Sequence, residues 1–277
     1  MAAKPPTAAR ARKRKVTPRR ADAAPARAVR PVPSSASPAA RARAIAATLA
    51  KQGSVQAARF ASRFFKTGAG EYGEGDRFLG VNMPAVRRLA RDIGEAGIEV
   101  ALPLLKSGWH EARTLALVLL VNAFQKGDPR VRKAIYRLYL RHARHIDNWD
   151  LVDISAPHIV GGWLADKPTE RRRVLTRLAK SSSLWERRIA ILATLHNIRQ
   201  GDATETLRLA RLLLHDKEDL IQKAVGWMLR EVGKRVGQET EEAFLQQVYR
   251  EMPRTMLRYA IERFPEPLRK RYLLGVA

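Results

Sequence analysis

Four charged residues recur at one position of a repeated pattern, and one of them has the opposite sign to the others. The cations are Arg113, Arg188 and Lys223, and the exception is Asp153. A row of arginine and lysine side chains is suited to the phosphates of a nucleic acid. A carboxylate in that row repels phosphate, but it can stabilise positive charge that develops during a reaction. The pattern therefore predicts cation-stabilising chemistry at Asp153.

An apolar residue precedes each charged position by three or four residues. Trp109, Trp149, Trp185 and Leu220 occupy these places, at spacings of 40, 36 and 35 residues. Two helices per unit of this length are typical of HEAT-like solenoids, in which each unit buries its apolar face against its neighbours. Residues four apart share one face of a helix, so Trp149 should lie beside the charged position of its own unit.

Helical periodicity continues over nearly all of the chain from residue 44 onward, and strand-like alternation is missing. The clearest predicted helices are Ala112–Phe124, Val131–Leu140, Arg187–Leu195 and Leu220–Val232. Short loops rich in glycine, aspartate and proline separate the helices, which favours antiparallel helix pairs. We predict an all-α, HEAT-like helical-repeat solenoid over residues 44–277, with about six helix pairs and a concave basic groove.

The composition limits the classes of partner and site. There are 52 Lys and Arg residues against 27 Asp and Glu residues, for a net charge of +25. This excess favours nucleic acid over an anionic membrane as the partner. Cysteine is absent, which excludes disulfides, thiolate metal sites and cysteine nucleophiles. No apolar run is long enough to cross a bilayer and no signal-peptide pattern is present, so we expect a soluble intracellular protein.

Residues 1–43 differ in composition from the rest of the chain. They hold 12 Lys and Arg residues, one acidic residue and seven of the 15 prolines. Such a segment cannot bury enough apolar surface to fold, and we predict a disordered basic arm that adds nonspecific attraction to phosphate. A nuclear signal at Arg12–Lys15 and a transit peptide are alternatives, although the prolines argue against an amphipathic transit helix.

Several stretches resemble the AlkD family of DNA alkylation repair glycosylases, in consistent order over about residues 45–275. Phe78–Val81, Pro84 and the basic helix Val86–Arg91 resemble the family's N-terminal region. The other matching stretches are Asn148–Asp153, Leu184–Leu192, Ile221–Arg230 and Pro253–Ile261. The resemblance leaves the basic arm outside.

The resemblance implies which residues form the active site. Asp153 would be the catalytic carboxylate, and Trp149 and Trp227 would flank the lesion nucleotide. Phe60 is the counterpart of an N-terminal active-site aromatic that is often tyrosine in the family, so a hydroxyl contact would be lost. A glycine-rich segment, Gly68–Gly75, lengthens the connection that follows.

The resemblance also implies an activity and a partner. The family excises cationic purines such as N3-methyladenine and N7-methylguanine, so the expected function is that of a monofunctional DNA N-glycosylase, a hydrolase that acts on double-stranded DNA without cofactor or metal. Arg188 would hold the backbone beside the lesion, with Lys223, Arg113 and Arg187 as further phosphate contacts. We expect a cytoplasmic, nucleoid-associated monomer of bacterial type.

The chemistry of the residues agrees with this activity. An alkylated purine is already a cation, so it leaves without a strong general acid. The enzyme must supply negative charge near the sugar, an attacking water and a fixed backbone geometry, and Asp153 fits the first two needs. The indole face of Trp149 attracts a cation, which suits both the charged base and the cationic sugar.

Structural roles remain open for the same residues. Asp153 could form an ion pair with Arg188 or Arg187, Trp149 and Trp227 could be core aromatics, and Arg188 could be solvated. We assign Trp109 and Trp185 to packing. Metal, phosphate-loop and serine-hydrolase motifs are absent from the sequence. Two other functions remain: a noncatalytic HEAT-like protein that binds damaged or branched DNA, and a scaffold for an acidic protein.

Overall fold

The computed structural model describes residues 36–277, and every regular element in this range is a helix. The α-helices in chain order are α1 (Pro38–Ala50), α2 (Val55–Phe64), α3 (Met83–Ile93), α4 (Ile98–Leu105), α5 (His110–Lys126), α6 (Pro129–Arg141), α7 (Trp149–Ala156), α8 (Gly162–Leu164), α9 (Pro168–Ala179), α10 (Leu184–Ala193), α11 (Leu195–Ile198), α12 (Thr204–Leu212), α13 (Asp219–Arg235), α14 (Gln238–Val248), α15 (Arg254–Ala260) and α16 (Glu266–Leu274). A π-helical turn, Pro157–Gly161, joins α7 to α8. Two short 3-10 turns are Ala143–His145 and Ile261–Arg263.

The helices pack in two layers. In the first layer α5 contacts α7, α7 contacts α10, α10 contacts α13, and α13 contacts α15. Helices of the second layer pack behind them, with α6 on α5, α9 on α10, and α12 and α14 on α13. Each unit therefore buries its apolar face against the next, which confirms the predicted all-helical repeat fold.

Four helices of the first layer begin in the same register. Trp109 is the residue before α5, Trp149 is the first residue of α7, and Trp185 and Leu220 are the second residues of α10 and α13. The repeat read from the tryptophans is therefore a repeat of helix starts. Because of this register, the charged residue of each unit lies about one turn into its helix.

Helix α1 begins before the predicted domain start at residue 44. The Ser37 hydroxyl accepts a hydrogen bond from the backbone N–H of Ala40, and Pro38 is the first helical residue. Proline is favourable there because its fixed φ suits a helix start and its missing N–H is not needed. Ile45 and Leu49 are buried against the rest of the domain. Residues 1–35 of the predicted arm lie outside the described residues, and the arm stays a prediction.

None of the helices in residues 36–277 combines the length and apolar character that a membrane span needs.

Candidate active site

A pocket of about 540 Å³ opens beside the first turns of α7, α10 and α13. Its lining residues are Phe64, Lys66, Tyr72, Trp149, Asp153, Arg188, Glu218, Asp219, Leu220, Lys223, Trp227, Arg230 and Tyr259. The predicted residues Asp153, Trp149, Trp227, Arg188 and Lys223 are therefore brought together. Three others, Phe60, Arg113 and Arg187, do not line this pocket.

Asp153 forms a side-on ion pair with Arg188. The Nε and Nη2 groups of Arg188 donate to the two carboxylate oxygens of Asp153, each at 2.9 Å, and Nη1 donates to the carbonyl oxygen of Leu220 at 2.6 Å. The side chain of Asp153 is 15% exposed and that of Arg188 is 5% exposed. Burial raises the pKa of the Asp153 carboxyl, and the adjacent guanidinium opposes that shift. The pair fixes the carboxylate in the pocket wall.

Trp149 combines packing with exposure to the pocket. Its ring stacks on Phe65 at 5.3 Å between centroids and meets Phe64 edge-on at 5.9 Å. The indole is half-buried, and it also lines the pocket. The packing role that the sequence offered is therefore present, and the same indole also faces the pocket.

Trp227 is positioned by a close approach of two helices. Gly226 on α13 lies so near α15 that a Cβ there would be 2.4 Å from the carbonyl oxygen of Met256 and 2.6 Å from the Cβ of Tyr259. The absence of a side chain at Gly226 lets α15 bring Tyr259 to the pocket beside Trp227. Glycine at this position is thus required by packing.

Replacing Gly226 with alanine should separate α13 from α15 and destabilise the fold by about 2 kcal/mol, because overpacking of about 3 kcal/mol exceeds the helix-propensity gain of about 1 kcal/mol. Chemical denaturation measures the change. Gly108→Ala is the matched control, since a Cβ at Gly108 meets nothing within 4 Å. A Gly226→Ala variant as stable as the control would contradict this view of the interface.

Phe64 lies in the pocket wall, where the resemblance had placed Phe60. Phe60 is 62% exposed, and it stacks on Phe64 at 6.1 Å between ring centroids. The two rings are one helical turn apart on α2, whose apolar face has no buried residue. The structure therefore corrects the position of Phe60, which lies outside the pocket lining and next to its rim.

Three of the predicted phosphate-binding cations are paired with carboxylates in the structure. Arg113 is 5% exposed, so its guanidinium is unavailable to a large ligand. The partners of Arg113 and Arg187 lie many residues away in sequence, whereas Lys223 pairs with a residue one turn earlier on α13. The pairs are Arg113–Asp76 at 2.8 Å, Arg187–Asp216 at 2.7 Å and Lys223–Asp219 at 2.6 Å.

A buried histidine supports the helix that carries Asp153. The Nδ1 and Nε2 atoms of His110 lie 2.7 Å from Asp76 and 2.8 Å from Asp150. Burial alone would lower the pKa of His110, but hydrogen bonds and charge from Asp150 and Asp76 outweigh it and raise the pKa to about 9. His110 is therefore a cation at neutral pH that ties α5 to the first turn of α7.

The raised pKa of His110 predicts a pH-dependent stability. Its contribution is fully present below the unfolded value of 6.5 and is lost as pH rises through about 9. Relative to His110→Gln, the wild-type free energy of unfolding should fall by roughly 3 kcal/mol across this window. The comparison between the two proteins cancels other groups such as Glu241, whose pKa burial raises to about 8. A difference that stays constant from pH 6 to pH 10 would refute this role of His110.

The sequence did not identify seven of the residues that line the pocket. These are Phe64, Lys66, Tyr72, Glu218, Asp219, Arg230 and Tyr259. Arg230 and Tyr259 fall inside stretches that carry the family resemblance, and Lys66 and Tyr72 flank or belong to the glycine-rich segment. Composition marked that segment as unusual but could not show which way its side chains point.

Comparison with known proteins agrees with the fold. The sequence profile of a family described as "DNA alkylation repair enzyme" matches residues 45–264. A solved structure described as a predicted DNA alkylation repair enzyme from Enterococcus faecalis has a TM-score of 0.62 and 17% identity, over 78% of this chain and 98% of that chain. At that identity the likeness concerns the fold alone. A comparison with curated proteins finds no match. Because the family profile covers most of its length, the chain belongs to the DNA alkylation repair enzyme family.

Proposed function

We propose that this protein is a DNA N-glycosylase that binds double-stranded DNA and releases cationic alkylated purines, such as N3-methyladenine and N7-methylguanine. The observation that carries the proposal is the Asp153 carboxylate, which lines one pocket together with the half-buried indoles of Trp149 and Trp227. Membership of a DNA repair family and the net charge of +25 support DNA as the partner.

The proposed reaction breaks the bond between C1′ of the deoxyribose and the purine nitrogen. The bonding electrons go to the base, which leaves as a neutral methylated purine, and positive charge develops on the sugar. Asp153 stabilises that charge and orients a water molecule. The water oxygen then bonds to C1′ and releases its proton, which leaves an abasic site and a free base.

The aromatic side chains would hold the damaged nucleotide against Asp153. An indole face attracts positive charge, so Trp149 and Trp227 favour both the cationic base and the cationic sugar over their neutral counterparts. Phe64 extends the same aromatic wall, and Phe60 extends it beyond the rim. In this arrangement Phe60 contacts the strand next to the lesion.

Arg188 is better suited to position Asp153 than to hold a phosphate. Two of its nitrogens donate to Asp153 and the third donates to the carbonyl oxygen of Leu220. Each oxygen of a carboxylate held side-on keeps a lone pair for a water molecule. Arg188 therefore fixes the direction from which Asp153 meets the sugar.

A noncatalytic DNA-binding protein is the second candidate. The observation that favours it is the ion pair itself, since Arg188 offsets part of the negative charge that would stabilise the sugar cation. Only the glycosylase would release a free methylated base from the DNA. Incubation of the protein with duplex DNA that carries N7-methylguanine, followed by chromatography of free bases, should show released N7-methylguanine above the spontaneous level. Binding of the duplex without release would favour the noncatalytic protein.

A further inference from the structure

The segment from Lys66 to Asp76, here called the 66–76 loop, folds back on the end of α2. The backbone N–H of Gly73 donates to the carbonyl oxygen of Lys66 at 3.1 Å and closes the loop. A Cβ on Gly73 would lie 2.4 Å from the carbonyl oxygen of Phe65, so only glycine fits at this crossing. The backbone at Gly73 thus comes back to Lys66, and the residues between them form a compact projection.

The two glutamates of the loop bond to its own backbone. Glu71 accepts from the backbone N–H of Gly68 at 2.9 Å, and Glu74 accepts from that of Gly70 at 2.9 Å. These carboxylates satisfy loop amides and form no ion pair with Lys66 in the described structure. The loop is acidic in composition, but both glutamate carboxylates bond to backbone amides of the loop.

Asp76 anchors the far end of the loop to the helices of the site. Its carboxylate oxygens accept hydrogen bonds from Arg113 at 2.8 Å and from the side-chain amide of Asn148 at 3.2 Å, and one lies 2.7 Å from His110. The side chain of Asp76 is 6% exposed. The loop is thereby held in a fixed position relative to Trp149, the residue that follows Asn148.

The loop places Tyr72 in the pocket wall. Its ring meets Trp185 edge-on at 6.2 Å between centroids. Burial raises the pKa of Tyr72, while the indole N–H of Trp149 and the ammonium of Lys223 oppose the shift. The phenol therefore keeps its proton at neutral pH and can donate it in a hydrogen bond to an acceptor in the pocket.

Lys66 is the cation of the pocket that stays available to a ligand. Arg188, Lys223 and Arg230 each pair with a carboxylate, whereas no described residue places a carboxylate within 4 Å of the Lys66 ammonium. Lys66 also has a φ of 51°, the only positive value for a residue other than glycine in residues 36–277. Such a backbone is strained for a residue with a side chain, and strain of this kind is concentrated at binding sites.

We infer that Lys66 and Tyr72 form an anion subsite for a phosphodiester group of the damaged DNA strand, adjoining the nucleotide that Asp153 faces. Both residues line the pocket, where the ammonium supplies charge and the phenol supplies a directed donor, and phosphate oxygens accept both. The inference rests on the proposed function for its choice of ligand. It also explains how a site whose predicted cations are neutralised can still hold a polyanion.

Binding of duplex DNA that contains one tetrahydrofuran abasic analogue tests the subsite without any chemistry. Lys66→Gln should weaken the affinity about fivefold near 100 mM salt and reduce the salt slope, the change in log K with log salt concentration, by about 0.9. Tyr72→Phe should weaken the affinity about threefold and leave the slope unchanged, because no charge is lost. Lys270→Gln, which removes an exposed charge of α16 outside the pocket, is the matched control and should leave both quantities at wild-type values.

A neutral methylphosphonate in the DNA locates the contact. Replacing the phosphate beside the abasic analogue should weaken wild-type binding, and the same replacement should weaken Lys66→Gln less, because only the Tyr72 hydrogen bond remains there. Equal losses in both proteins, or a Lys66→Gln slope equal to that of the wild type, would overturn the subsite. A protein that shows this coupling but releases no methylated base keeps the subsite and loses the glycosylase proposal. A protein that releases methylated base without this coupling keeps the glycosylase proposal and loses the subsite.

Discussion

Asp153→Asn is expected to slow the release of N7-methylguanine at least about a hundredfold, which is the effect of removing one transition-state stabilising group. Asparagine keeps the shape of the side chain and one acceptor oxygen but removes the charge that the sugar cation needs. DNA affinity should change less than about threefold, because most of the affinity comes from contacts between phosphates and cations elsewhere on the protein. Release and binding are measured on the same duplex.

Stability and a surface control separate catalysis from folding. Asp153→Asn leaves Arg188 facing a neutral amide, so thermal unfolding must show that the variant is folded at the assay temperature. Asp166→Asn removes a carboxylate that is 79% exposed and outside the pocket, and it should release base at the wild-type rate. Release by Asp153→Asn within twofold of this control would exclude Asp153 as the catalytic group.

Arg188→Gln is expected to destabilise the protein by about 3 kcal/mol, because it leaves the largely buried Asp153 without its charged partner. It should also alter the pH dependence of base release. Burial raises the pKa of Asp153 and the guanidinium opposes the shift, so removal of Arg188 raises the pKa further. Since the ionised carboxylate is the active form, the acid limb of the rate profile should move to higher pH.

The double variant checks that both effects arise from the ion pair. Asp153→Asn combined with Arg188→Gln should be less destabilised than the sum of the single variants, since the second change removes the charge that the first leaves unpaired. Arg173→Gln alters an exposed arginine of α9 and should leave stability within about 0.5 kcal/mol of the wild type. Strict additivity of Asp153→Asn and Arg188→Gln, or an unchanged acid limb, would show that the pair does not tune Asp153.

The repeat could be predicted because it is local. Packing of each unit against the next favours a large apolar residue near the same helix start, so Trp109, Trp149, Trp185 and Leu220 mark the register directly in the sequence. The inverted sign at Asp153 is visible for the same reason. Family resemblance added Trp227, and the structure brings it to the same pocket as Asp153.

The partners of Arg113 and Arg187 could not be predicted, because they come from loops whose course depends on tertiary packing. Arg113 meets Asp76 and Arg187 meets Asp216, across 37 and 29 residues of sequence. Neither pairing follows from helical spacing.

Whether Phe60 or Phe64 lines the pocket depends on how α2 is rotated about its axis. That rotation could not be derived from the sequence, because α2 has no buried residue. The direction of Tyr72 likewise depends on hydrogen bonds within the 66–76 loop. In both cases the residue type and its spacing were visible in the sequence, while its orientation was decided by contacts outside the repeat.

The most direct test of the account is single-turnover release of free N7-methylguanine from a duplex with one such base, at protein concentrations that saturate the DNA. The account predicts that the wild-type protein exceeds the spontaneous rate of base loss and that Asp153→Asn, bound to the same extent, approaches it. Equal rates for the two saturated proteins would contradict the claim that this carboxylate drives the reaction.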